Sequence, residues 1–147
     1  MYINYSLGIG VGMVLCGTLY YGATGAAGEI SLLGLKASRR QPDHPMLRLV
    51  NHLLTVMPRG PIGNVATLAA HGDATAQGAL SAFNTELANY LAIVASVIDP
   101  AVLVLQDVPH VAEPLKEEVQ LALEDVGLQT RVIITPLGSL AGLDSAA

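Results

Sequence analysis

The sequence predicts an α/β domain in which a short β-meander is followed by helices and then by a strand–helix–strand unit. Two observations carry this. Apolar residues alternate over residues 1–7, with Met1, Ile3, Tyr5 and Leu7 on one side and Tyr2, Asn4 and Ser6 on the other. Near the other end, two short runs rich in β-branched residues (101–105 and 131–135) bracket an amphipathic stretch over 111–126, a pattern expected of parallel strands joined by a crossover helix. The 147 residues suffice for one core, so the whole chain, 1–147, reads as a single domain.

Taken in order, residues 11–15 read as a second, more uniformly apolar strand. Cys16-Gly17-Thr18 then turns the chain into a third strand over 19–21. Residues 36–45 form a polar loop with two prolines, and Pro45 suits a helix first turn. Helical spacing follows over 46–57 until Pro58-Arg59-Gly60-Pro61 breaks it. A short helix is expected over 65–70. After His71-Gly72, Asp73 is placed to cap a long helix over 74–97. Asp99-Pro100 ends it. Residues 101–105 read as a fully buried strand. The helix over 111–126 carries Leu115, Val119, Ala122, Leu123 and Val126 on one face, with Gly127 as its C-terminal cap. After the strand at 131–135, a small-residue helix over 140–147 closes the chain. In outline this is a ribonuclease H-like or actin-like arrangement.

Apolar residues make up 52% of the chain and charged residues only 13%, which excludes intrinsic disorder and points to apolar surface that meets a partner. The net charge of -5 disfavours nucleic-acid binding by the chain as a whole. Five of the seven basic residues, Lys36, Arg39, Arg40, Arg48 and Arg59, fall within one segment. They read as a solvated loop and helix start, with a phosphate or acidic-partner patch as the alternative. The single cysteine, Cys16, excludes an internal disulfide and a cysteine-rich zinc site; its apolar setting predicts a buried, inert thiol. His44, His52, His71 and His110 lack ligand-like spacing, so no metal and no cofactor are expected. There is no basic start of a signal peptide, and the apolar stretch over 79–98 contains Asn84, Thr85, Glu86 and Asn89. It reads as a buried helix and not a membrane span. A cytoplasmic protein with no membrane partner is the expectation.

The densest chemical signal lies near the start. Gly8, Gly10 and Gly12 stand in one run; Gly22, Gly25 and Gly28 in a second, which ends in Glu29, the one charged residue among the first 35. Glycines at this density let a backbone approach a ligand or another backbone closely, and one acid at the end of an apolar run suits a small polar molecule.

Four stretches resemble the ROK family of bacterial sugar kinases and sugar-responsive repressors. Gly8-Ile9-Gly10-Val11-Gly12 looks like the tail of the family's glycine-rich phosphate loop. Gly22-Ala23-Thr24-Gly25-Ala26-Ala27-Gly28-Glu29-Ile30 looks like its sugar motif. Ala70-His71-Gly72-Asp73-Ala74-Thr75-Ala76 is similar to its helix start, and Asp99-Pro100 with Leu137-Gly138-Ser139-Leu140-Ala141-Gly142 is similar to its closing pattern. The resemblance covers nearly the whole chain but only the second half of a usual family member. It implies a ROK-type C-terminal lobe with a mixed sheet flanked by helices, and sugar binding by Glu29, Gly28 and Gly25. Gly8, Gly10 and Gly12 would be a degenerate phosphate loop.

Departures from the pattern shape the functional expectation. The loop's first Gly and Thr fall on Ser6 and Leu7, and Leu7 offers no hydroxyl. The family's Gly-Gly on the adenosine side falls on Gln106-Asp107, where side chains would crowd a nucleotide and Asp107 would repel phosphate. The family's histidine after the acidic motif falls on Leu32. The resemblance then implies no catalytic residue in this chain. It implies a lobe of a ROK-type transcriptional regulator that senses a sugar or sugar phosphate and forms a homodimer. Contact with DNA would come only through an absent N-terminal domain. Two alternatives stay open: the C-terminal half of a glucokinase-like sugar kinase, and an association scaffold that binds nothing small. For Glu29 the plain alternative is an acid at a helix N-terminus; for the first glycine run it is a hairpin between strands. For Ala74, Ala76, Ala79 and Ala82 the choice is between core packing, which is favoured, and a helix interface between copies.

Overall fold

A computed structural model describes residues 1–5, 9–29 and 61–135. The expected loop and helix over 36–57, the closing helix, Gly8 and the basic segment lie outside the described residues. Within them the order is β1 (Tyr2–Asn4), β2 (Gly10–Gly12), β3 (Val14–Leu15), β4 (Thr18–Leu19), α1 (Ile62–Ala70), α2 (Ala74–Ile98), β5 (Val102–Gln106), α3 (Ala112–Asp125) and β6 (Arg131–Thr135). The main sheet runs β2-β1-β5-β6. β2 is antiparallel to β1, whereas β1, β5 and β6 are mutually parallel. A two-stranded ribbon, β3-β4, stands apart.

Period-two patterning decides which face is covered. Ile3 pairs with Val11 and Leu105, and Leu103 pairs with Val132; all five are buried. Phe83, Leu87 and Leu91 of α2 join them in one core with Leu115, Val119 and Leu123 of α3. Each such side chain contributes about 1.5–3 kcal/mol on burial. The opposite face carries Tyr2, Asn4, Gly10, Gly12, Val102 and Val104, all half-buried, and Arg131, which is exposed. The strand expected to be fully buried is therefore buried on one face and half-covered on the other.

The helix boundaries follow from the capping residues. The Asp73 carboxylate accepts the Ala76 N–H at 2.8 Å and so satisfies one of the orphan donors of α2. That helix ends where Asp99 turns left-handed (φ 49°) before Pro100. α3 ends at Val126 with a Schellman arrangement: the Gly127 N–H donates to Glu124 O at 2.9 Å and the Leu128 N–H to Leu123 O at 2.9 Å. α1 starts three residues before the predicted 65, directly after Pro61, whose fixed φ of -60° leads into the first turn. The Ala stripe of α2 is not its core face, since Ala74 and Ala82 are exposed and only Ala76 is fully buried.

Three expectations near the start are corrected. The apolar run at 11–15 is two strands in two sheets, because the chain leaves β2 at Met13 and the ribbon begins at Val14. The third strand is Thr18–Leu19, and Tyr20 and Tyr21 lie beyond it. Cys16 is exposed and not a buried thiol. It occupies the tip of the β3–β4 hairpin, where Cys16 and Gly17 both take positive φ (51° and 79°), as a two-residue turn matched to strand twist requires. Val126 is likewise exposed, as the residue that caps α3.

Candidate functional site

Gly10 and Gly12 meet the second glycine run at β2, which among the described residues is the outermost strand of the main sheet and pairs with β1. On its other side the Val11 N–H donates to Gly28 O at 2.9 Å. The chain reaches this point through the β3–β4 hairpin, whose base is closed by Tyr20 N–H to Met13 O at 2.8 Å. The loop over residues 22–29 is then fastened to itself: Ala27 N–H donates to Tyr21 O at 3.1 Å, and Glu29 N–H to Ala26 O at 3.3 Å.

Gly28 is the tightest point of the arrangement. A Cβ there would lie 1.7 Å from Val11 O and 2.7 Å from its carbonyl carbon, and the residue has φ +83°. Only a hydrogen fits, and only glycine adopts that backbone without strain. Glu29 follows directly, with an exposed side chain. Its place in the chain is thus fixed by a backbone contact one residue earlier. Gly25 stands at the exposed part of the loop, with no atom within 4 Å of where a Cβ would be.

Gly10 and Gly12 are strand residues, so the run that reads from sequence as one loop enters β2 at Gly10. They pair with Asn4 and Tyr2, on the face away from the core. A Cβ at Gly10 would meet nothing within 4 Å; at Gly12 it would touch Tyr2 Cβ at 3.8 Å. Among the described residues this part of the sheet is glycine backbone flanked by Tyr2 and Asn4, all of them half-buried. Bare backbone lets a flat polar molecule come close, and a carboxylate accepts hydrogen bonds from hydroxyls. The cations among the described residues, Lys116 and Arg131, belong to α3 and β6. Two surface grooves, of about 370 Å³ beside the hairpin (Met13, Val14, Cys16, Pro100) and about 230 Å³ between α2 and α3 (Leu80, Asn84, Pro114, Glu118), are not lined by Glu29. Among the described residues no group of three or more His, Cys, Asp or Glu is placed to hold a metal ion.

The sequence predicts that the side chains at 106 and 107 obstruct a nucleotide. For Gln106 the structure gives a different role. Gln106 is 2% exposed, and its Oε1 accepts the backbone N–H of Tyr5 at 3.3 Å, while the Tyr5 hydroxyl donates to Gln106 O at 2.6 Å. Tyr5 is fully buried and its ring stands 6.5 Å from that of Phe83. Burial, then the charge of Asp107 and then Tyr2 push its hydroxyl pKa above the ordinary value of 10. Asp107 itself is exposed. The Tyr5–Gln106 tie was not legible in the sequence. The one available signal was a polar residue ending an otherwise apolar strand.

No family model and no curated protein matches the sequence, whereas solved structures do. A ROK family glucokinase from Streptomyces griseus, in complex with glucose and AMPPNP, matches at 20% identity with a TM-score of 0.66, over 99% of this chain and 58% of its own. A ROK hexokinase from Thermus thermophilus matches at 23% identity and a TM-score of 0.65, over 99% of this chain and 54% of its own. A ROK family transcriptional regulator, a homolog of the E. coli Mlc protein, matches at 17% and 0.55, over 90% and 40%. The chain spans little more than half the length of the two kinases and 40% of the regulator. No helix among the described residues is long and apolar enough to cross a membrane. The chain has the α/β, actin-like fold found in ROK-family sugar kinases and regulators.

Proposed function

We propose that the chain is the sugar-sensing part of a ROK-type transcriptional regulator, with no phosphoryl transfer of its own. The observation that carries this reading is the Gly28–Val11 clamp. It fixes the residue before Glu29 against β2, and Glu29 itself is exposed. In this reading Glu29 accepts hydrogen bonds from sugar hydroxyls, and the backbone at Gly25 and Gly28 lies against the ring. Gly10 and Gly12, with Gly8 before them, keep the glycine spacing of a phosphate loop without serving one. Leu7 in the sequence, which offers no hydroxyl, and the exposed Asp107, which would repel phosphate, support the absence of nucleotide chemistry. The similar glucokinase holds glucose, and the similar regulator belongs to the same family.

Calorimetric titration with D-glucose and a panel of hexoses and hexose phosphates tests the reading. Heat with one of them, reduced at least tenfold in affinity by Glu29→Gln, is the expected result. Unchanged affinity in Glu29→Gln makes Glu29 structural. Absence of heat with every sugar, together with a dimer by ultracentrifugation, favours the scaffold. The second reading, the half of a sugar kinase, is favoured by the two similar kinases. It is supported if glucose-dependent heat appears with a non-hydrolysable ATP analogue.

A further inference from the structure

We propose that Gln106 is a positioning residue for the segment that carries Glu29, acting through Tyr5 and the first two strands. The functional meaning of this role rests on the reading of Glu29 above, but the structural claim does not.

Few backbone hydrogen bonds among the described residues hold the glycine-lined edge. β2 is three residues long, and among the described residues β1 is its one strand partner in the sheet. The loop over residues 22–29 joins β2 through Val11. Among the described residues, the strand pairing of this edge runs to the rest of the sheet through β1, while the Val11 side chain joins the core. β1 is itself short, and its register with β5 covers only Tyr2↔Val104 and Ile3↔Leu105. At its start β1 is held by two bonds, the Met1 amino group to Val102 O at 2.8 Å and Val104 N–H to Met1 O at 2.7 Å.

At its end the ladder has already stopped, and the backbone N–H of Tyr5 takes its acceptor from a side chain. Gln106 Oε1 supplies it, and the Tyr5 hydroxyl returns a bond to the Gln106 carbonyl. One residue of β5 thus closes the fork between two parallel strands at their carboxyl ends, the edge at which open α/β sheets take ligands. β6 gives the contrast: β5 and β6 pair over five consecutive residues, up to Gln106↔Thr135, and a side-chain bond between their flanks, Thr130 Oγ1 donating to Pro100 O at 2.8 Å, lies at the opposite, amino-terminal end. Both partners are buried, so losing one bond leaves an unsatisfied group with no water to replace it.

Amide hydrogen exchange by NMR on the intact chain tests the proposal with two variants. Gln106→Met keeps the volume and removes the acceptor. Gln106→Glu, studied at pH 5, keeps an oxygen at the same place. The expected result is that Gln106→Met raises exchange at Tyr5 and Val11 roughly tenfold or more, leaves Leu123 and Val132 unchanged, and that Gln106→Glu restores most of the protection at Tyr5. Unchanged exchange at Val11, or a uniform rise that includes Leu123 and Val132, overturns the positioning role. This readout stands apart from sugar binding. Should Gln106→Met move Val11 while Glu29→Gln leaves glucose affinity untouched, the positioning claim survives and the sugar reading fails.

Discussion

The β5–α3–β6 unit and the glycine-lined edge hold their shape by opposite means. In the first, five register pairs join the strands, and the helix between them buries Leu115, Val119 and Leu123. Side chains do the holding. At the edge, Val11 and Gly28 meet backbone to backbone, and the absence of a side chain at Gly28 is the condition for contact. The contrast teaches that stability and the candidate site are separable here. Loss of volume is the change expected to harm the core most, and added volume at Gly28 the change expected to harm the edge most.

The sharpest way to break this comparison is to remove volume from the core. Phe83→Ala deletes a fully buried ring and is expected to cost about 3–5 kcal/mol, measured by urea denaturation. The glucose affinity of the fraction still folded should be unchanged. Gly28→Ala adds one methyl group and should cost about 2–3 kcal/mol or more through its positive φ and the clash with Val11 O. Here the exchange of Val11 should rise before that of Val132, so a uniform loss across both would erase the distinction.

Asp73→Ala, away from both regions, should cost about 1 kcal/mol through loss of the cap on α2, with Asp73→Asn restoring most of it. The smallest effect expected is a pH dependence. Burial raises the pKa values of Tyr5, Tyr90 and Tyr2 above their ordinary value, so the folded chain holds those protons more tightly than the unfolded one. Stability is then full below about pH 10 and falls as pH rises past it. Tyr5→Phe should flatten that alkaline slope in thermal melts, although the lost bond to Gln106 O lowers stability at neutral pH.

Most of the regular half was legible in the sequence. Asp73, Asp99-Pro100 and Gly127 each announce a helix end by chemistry that acts within one turn. The strand at 131–135 was legible from its β-branched residues. The edge was less so. Alternation places Ile3 and Tyr5 on one face, but nothing local separates β2 from β3 at Met13, because the break depends on which sheet each piece joins. The burial of Cys16 was misjudged for a related reason: its apolar neighbours belong to a ribbon whose own residues, Val14 and Leu15, are exposed. For the site, the motif at Gly22 to Glu29 located the loop, whereas the need for Gly28 came only with the carbonyl of Val11 in view. Gln106 was read as an obstacle because sequence position does not tell which way a side chain turns.

The hairpin tip has a practical consequence. Since Cys16 is both exposed and the sole thiol of the sequence, a maleimide dye would mark one spot on the surface, and an oxidative crosslink between copies could join them only nose to nose.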